Sequence, residues 1–264
     1  MAEIDLDKYI EYIFYYHFYQ DGSIQFETRL TGILNVYVQA PNETINPFGT
    51  TVAPQINAHY HQHIFSLRID PMLDGLHNSV VESDIISLPH PTGSAENFAG
   101  NGFTLTDTTL KTEGEGGREW DSEKDRRWTI VNPRRKHYAS GRSVGYTVGG
   151  KAAMVKLLAK EDSWAARRAT FARKAMWVVR DVEDEDGVGR LYPAGRYVPQ
   201  TRDAPKDSVG VWATGDKSIE DTDIVIFLTP GKWLGISSWS LHTHFLISYH
   251  TGATHIPRPE DWPV

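Results

Sequence analysis

His61 and His63, in the run HYHQHIFSLRID, and His255, in THIPRPEDWPV, are the residues of this chain best suited to chemistry. Three imidazoles of this kind could hold one transition metal, Cu(II) or Zn(II), with water in the open positions. Successive side chains of a β-strand point to opposite faces, so residues two apart share a face and can reach one ion. His59 has the same parity. The bland reading of such a pair is ordinary hydrogen bonding, and a structural zinc site would use the same ligands.

These side chains need strands to aim them, and the chain supplies strand signals. Residues Tyr12 to Val38 alternate and are rich in Ile, Phe, Tyr, Thr and Val, with Asp21-Gly22 as a tight turn, which predicts a β-hairpin. Asn57 to Ile69 predicts the histidine strand, closed by Asp70-Pro71. After a Pro, Gly, Ser and Asn-rich excursion from Leu88 to Gly102, Phe103 to Leu110 reads as a short strand. The charged stretch Thr112 to Arg127 reads as a solvated loop, and Arg134 to His137 as a solvated turn. Lys151 to Arg173 favours the one substantial helix, before Met176 to Val182 returns to strand. The aromatic run Tyr12, Phe14, Tyr15, Tyr16, Phe18 and Tyr19 reads as core and sheet packing.

A chain of 264 residues with 40% hydrophobic and 23% charged residues can bury a sizeable core, and a single domain is the simplest organisation. The net charge of -7 disfavours nucleic acid, which selects a concentrated basic face. No run is long and apolar enough to span a bilayer, so no membrane partner is expected. The absence of cysteine excludes disulfides and thiolate metal sites. With no signal peptide visible in MAEIDLDKY, the expected location is intracellular, cytoplasmic or peroxisomal.

Three segments in order, YIFYYHFYQDGSIQFETRLTGIL, HQHIFSLRID and THIPRPEDWPV, resemble the C-terminal catalytic domain of copper-containing amine oxidases. Weaker matches lie between them in RRWTIVNP, SVGYTV, RATFARKAMWVV, LYPAGRYVPQ and DTDIVIF. The resemblance implies an all-β fold, a large β-sandwich of the copper amine oxidase catalytic type with one short helix, over residues 1–264 as a partial catalytic domain. It further implies copper on His61, His63 and His255, a second copy of the chain as partner in a homodimer, and a reaction between a primary amine and dioxygen that yields aldehyde, ammonia and hydrogen peroxide. Asp70 and Asp223 match positions that hold calcium or another second divalent ion in some relatives, although Met72 stands where a third carboxylate is expected.

The resemblance departs from the family where topaquinone should form. Glu11 and Tyr12 match the last two residues of the cofactor motif and are expected beside that cofactor, which leaves Ile10 in place of the quinone-forming tyrosine and Tyr9 in place of asparagine. Tyr9 could substitute only by a one-residue slip, which turns a side chain to the opposite face. The family's catalytic base lies upstream of the motif, and neither Asp5 nor Asp7 is assigned to that role. A second departure is the stretch 228–248, LTPGKWLGISSWSLHTHFLIS, which separates DIVIF from YHTGATHIP. It reads either as an inserted loop, with His242 and His244 as a second pair, or as translated intron sequence. The clean rejoining of its flanks favours the latter. Three functions follow: a primary-amine oxidase domain, a copper-binding non-oxidase remnant of the same fold, and a structural or interaction protein without metal.

Overall fold

The computed structural model describes residues 11–32, 34–44, 47–149, 156–183, 189–197, 202–234 and 241–250. The alternating N-terminal run forms β1 (Glu11–Phe18) and β2 (Ile24–Thr31), paired without a shift from Glu11↔Thr31 to Phe18↔Ile24. Asp21 Oδ1 accepts from the Ser23 amide at 2.8 Å in the turn between them. Three short strands follow: β3 (Val36–Val38), β4 (Gly49–Ala53) and β5 (Ile56–His59).

The expected single strand from Asn57 to Ile69 is three strands. β5, β6 (His61–Ile64) and β7 (Leu67–Ile69) break at Tyr60 and at Phe65-Ser66, and each pairs with different neighbours. A continuous strand can serve only one pair of flanking strands. The breaks let this short stretch bind three sheets together.

Farther on come β8 (Ser79–Ser87), β9 (Phe103–Thr109), β10 (Arg127–Lys136), β11 (Ser143–Gly149), β12 (Met176–Arg180), β13 (Ile224–Leu228), β14 (Gly231–Leu234) and β15 (Leu241–His250). All pairings between these named strands are antiparallel. The largest sheet has the order β1-β2-β15-β11-β10-β8-β9, beside β12-β13-β7, β14-β6 and β3-β5-β4. The fold is therefore all-β, as expected.

Among the described residues there are two short α-helices rather than one, α1 (Trp164–Arg168) and α2 (Val209–Trp212). Residues 151–155 of the helix expected from Lys151 lie outside the described residues, and 156–158 are not helical: the Gln62 side-chain amide donates to the Lys156 carbonyl (2.9 Å) and accepts from the Leu158 amide (2.8 Å). Ser163 caps α1, its hydroxyl accepting from the Ala166 amide.

The stretch 112–127 is more than a solvated loop. Glu113 is buried and paired with Arg190, and Arg118 reaches the buried Glu82, which also accepts from the Trp128 indole at 2.9 Å. Arg134 lies within β10, not in a turn, and its solvent-exposed side chain clasps Asp221 at 2.9 Å. The expected burial of the aromatic run is not observed: Phe14, Tyr16 and Phe18 on β1 are 47%, 55% and 74% exposed, because β1 ends the strand order of its sheet. The main core gathers Val80, Trp128, Ile130, Val148, Ile224 and Ile226, and a second cluster holds Val179, Val209, Val225 and Phe227. Among the described residues no helix is long and apolar enough to cross a membrane.

Candidate metal centre

β6 presents His61 and His63 on one face, with ring centroids 4.8 Å apart and planes inclined at 67°. His61 Nδ1 lies 3.0 Å from the His59 carbonyl oxygen, which can only accept, so Nδ1 carries the proton and Nε2 is left with its lone pair. His63 Nδ1 lies 2.9 Å from the Tyr12 hydroxyl. A ligating Nε2 on His63 requires the same tautomer, with Nδ1–H donating to Tyr12. Both Nε2 atoms are buried and without a hydrogen-bond partner. Buried polar atoms are seldom left so, and two adjacent imidazole nitrogens in this state fit a metal ion. Burial, and then the neighbouring His61, push the His63 pKa down, which favours the neutral form that binds metal.

Three contacts fix β6. Gln62, on the opposite face, holds residues 156–158 as described. Phe65 meets the rings of Tyr12 and Phe14 edge-on, with centroids 5.6 Å away in each case, and so docks β1 onto the end of β6. β14 pairs along β6, with Lys232↔His63, Trp233↔Gln62 and Leu234↔His61. His59 does not join the pair despite its parity. The break at Tyr60 leaves its ring 4.6 Å from that of Tyr37.

The other expected residues divide. His255, Tyr9 and Ile10 lie outside the described residues, as do Asp5 and Asp7. Glu11 enters β1 opposite Thr31. Because β1 keeps one register from Glu11 onward, any slip that brought Tyr9 to the place of Ile10 would have to precede residue 11. An aliphatic side chain cannot be oxidised to a quinone, so the residue at position 10 does not fit topaquinone.

Asp70 and Asp223 do come together, and Asp181 joins them: one carboxylate oxygen from each lies within 4.8 Å of the others. Arg68 spans two of the three, donating to Asp70 at 2.9 Å and Asp181 at 3.2 Å. Asp223 Oδ1 is buried without a partner, and burial, then repulsion from Asp181 and Asp70, raises the Asp223 pKa. Met72, in the expected third position, is 70% exposed.

Sequence reasoning missed Asp181, the Tyr12–His63 bond and the clamp by Gln62. Asp181 had a signal: it follows the apolar run MWVVR as Asp70 follows LRI. The other two have none, because they join residues 51 and more than 90 positions apart.

Residues 8–233 match the copper amine oxidase enzyme domain. The chain is 40% identical over 256 residues to copper amine oxidase 1 of Schizosaccharomyces pombe and 39% identical over 255 residues to the peroxisomal primary amine oxidase of Pichia angusta. These alignments take in 96% of this chain but 32% and 33% of the relatives, so the chain spans about a third of their length. Among solved structures it is similar to a copper-containing benzylamine oxidase from Hansenula polymorpha, with a TM-score of 0.80 and 29% identity over 92% of this chain and 37% of that one.

Proposed function

Since this chain belongs to the copper amine oxidase family, we propose that it forms the copper-holding part of an enzyme domain that oxidises primary amines with dioxygen. The observation that carries this reading is the pair of buried, unpartnered Nε2 atoms on His61 and His63. Copper held there would supply one-electron exchange with dioxygen. The chain's own residues set up the ligands. The His59 carbonyl holds the proton on Nδ1 of His61, Tyr12 orients the ring of His63, and burial keeps bulk water from competing for both nitrogens.

Ile10 favours a second reading for this particular chain, a copper-binding remnant that no longer oxidises amines. The two separate in one experiment. Metal-free protein is given Cu(II) in air, bound copper is counted, and the visible spectrum is followed before and after phenylhydrazine. A hydrazine-reactive chromophore supports the oxidase. Bound copper without a chromophore supports the remnant, and protein that takes up no copper overturns both.

A further inference from the structure

β6 and β7 follow each other along the chain, and β13 and β14 run antiparallel beside them in the reverse order, β13 on β7 and β14 on β6. The ribbon keeps a single register across its kink: Leu228 faces Leu67, and Gly231, three residues on, faces Ile64, three residues back. The Phe65 amide donates to the Pro230 carbonyl at 2.8 Å between the two halves. Whatever sequence runs on from β13 therefore puts its sixth residue after position 228 opposite His61. In this chain that residue is Leu234.

Directly opposed positions of an antiparallel pair belong to the same face of the sheet. Position 234 is thus on the face that carries His61 and His63, where a third ligand would complete the set. Leaving out the 21 residues from 228 to 248 joins Phe227 to Tyr249, and His255 then falls on the position of Leu234. We propose that residues 228–248 displace the third imidazole, so that Leu234 occupies its register position and this chain holds copper on His61 and His63 alone. This rests on the copper reading above. Residues 241–248 also lie in β15, between β2 and β11, which makes the segment part of the sheet.

Point variants test the idea in the full chain, because deletion would remove most of β15. Cu(II) affinity is measured by competition with a chelator, and bound imidazoles are counted by pulsed EPR. His255→Ala is expected to leave both unchanged. Leu234→His is expected to raise the count from two to three and to tighten binding beyond the roughly 10- to 100-fold commanded by outer-shell partners. Loss of copper affinity in His255→Ala by about tenfold (1.4 kcal/mol) or more overturns the proposal, since His255 would then reach the ion past the segment. So does a folded Leu234→His protein, judged by circular dichroism, with unchanged affinity and count. Failure of the underlying copper reading looks different: His61→Ala and His63→Ala would both bind Cu(II) as tightly as the wild type.

Discussion

At the scale of single residues, the centre depends on which nitrogen of each imidazole carries a proton. For His61 the backbone decides, since the His59 carbonyl is acceptor only and no substitution at position 59 removes it. For His63 a side chain decides. Tyr12→Phe removes the oxygen 2.9 Å from Nδ1 while keeping the ring that packs on Phe65, so it frees the tautomer without opening a cavity. Copper affinity in Tyr12→Phe should fall by about 10- to 100-fold, the usual cost of losing such a partner, with thermal stability nearly unchanged. A chelator titration checks this, and equal affinities would show that Tyr12 does not position His63. The His-x-His spacing was legible in the sequence because period-2 alternation places both rings on one side. The partners of their Nδ1 atoms were legible for neither, because a hydrogen bond between β1 and β6 depends on how the strands dock.

At the scale of elements, the sheet β12-β13-β7 explains the acidic cluster. Asp181 follows β12, Asp70 follows β7 and Asp223 precedes β13, and since β13 runs antiparallel to both, all three carboxylates gather at one end of the sheet. Asp223 has its pKa raised, so the fold favours its neutral acid. Its contribution to stability is complete below the ordinary carboxylate range and is lost as pH rises through the raised value. Asp223→Asn should therefore abolish that part of the decline in Tm with rising pH. If a hard divalent ion also fits among the three, calcium will raise the Tm of the wild type, most at the higher pH, and leave Asp223→Asn unmoved. An equal calcium response in both proteins would place its binding elsewhere. If Arg68 alone neutralises the cluster, calcium changes neither. Helix placement belongs to this scale too. The residues from Lys156 to Leu158 have helical composition, yet Gln62 takes their backbone groups, so a tertiary contact overrides propensity.

At the scale of the whole molecule, β13 is the strand on which both halves of the core close. Ile224, Ile226 and Leu228 enter the main cluster, while Val225 and Phe227 enter the second, and all five are 0% exposed. Phe227→Ala should cost about 3–5 kcal/mol in a chemical-denaturation curve, as truncation of a buried aromatic does, while copper affinity at low temperature stays near the wild-type value. Loss below 1 kcal/mol would mean that the second cluster collapses around the gap. The run from Ile224 to Leu228 is apolar without alternation, as a strand buried on both faces can be. The alternating apolar runs likewise determined the N-terminal hairpin, and the absence of cysteine left imidazole, carboxylate or carbonyl as metal ligands, because these follow from side-chain chemistry and local period alone. Tertiary structure alone decided that Tyr12 meets His63, that Asp181 joins Asp70 and Asp223, and that Leu234 stands opposite His61. Each of these joins residues from different strands, and the register between strands is set by packing across the whole core.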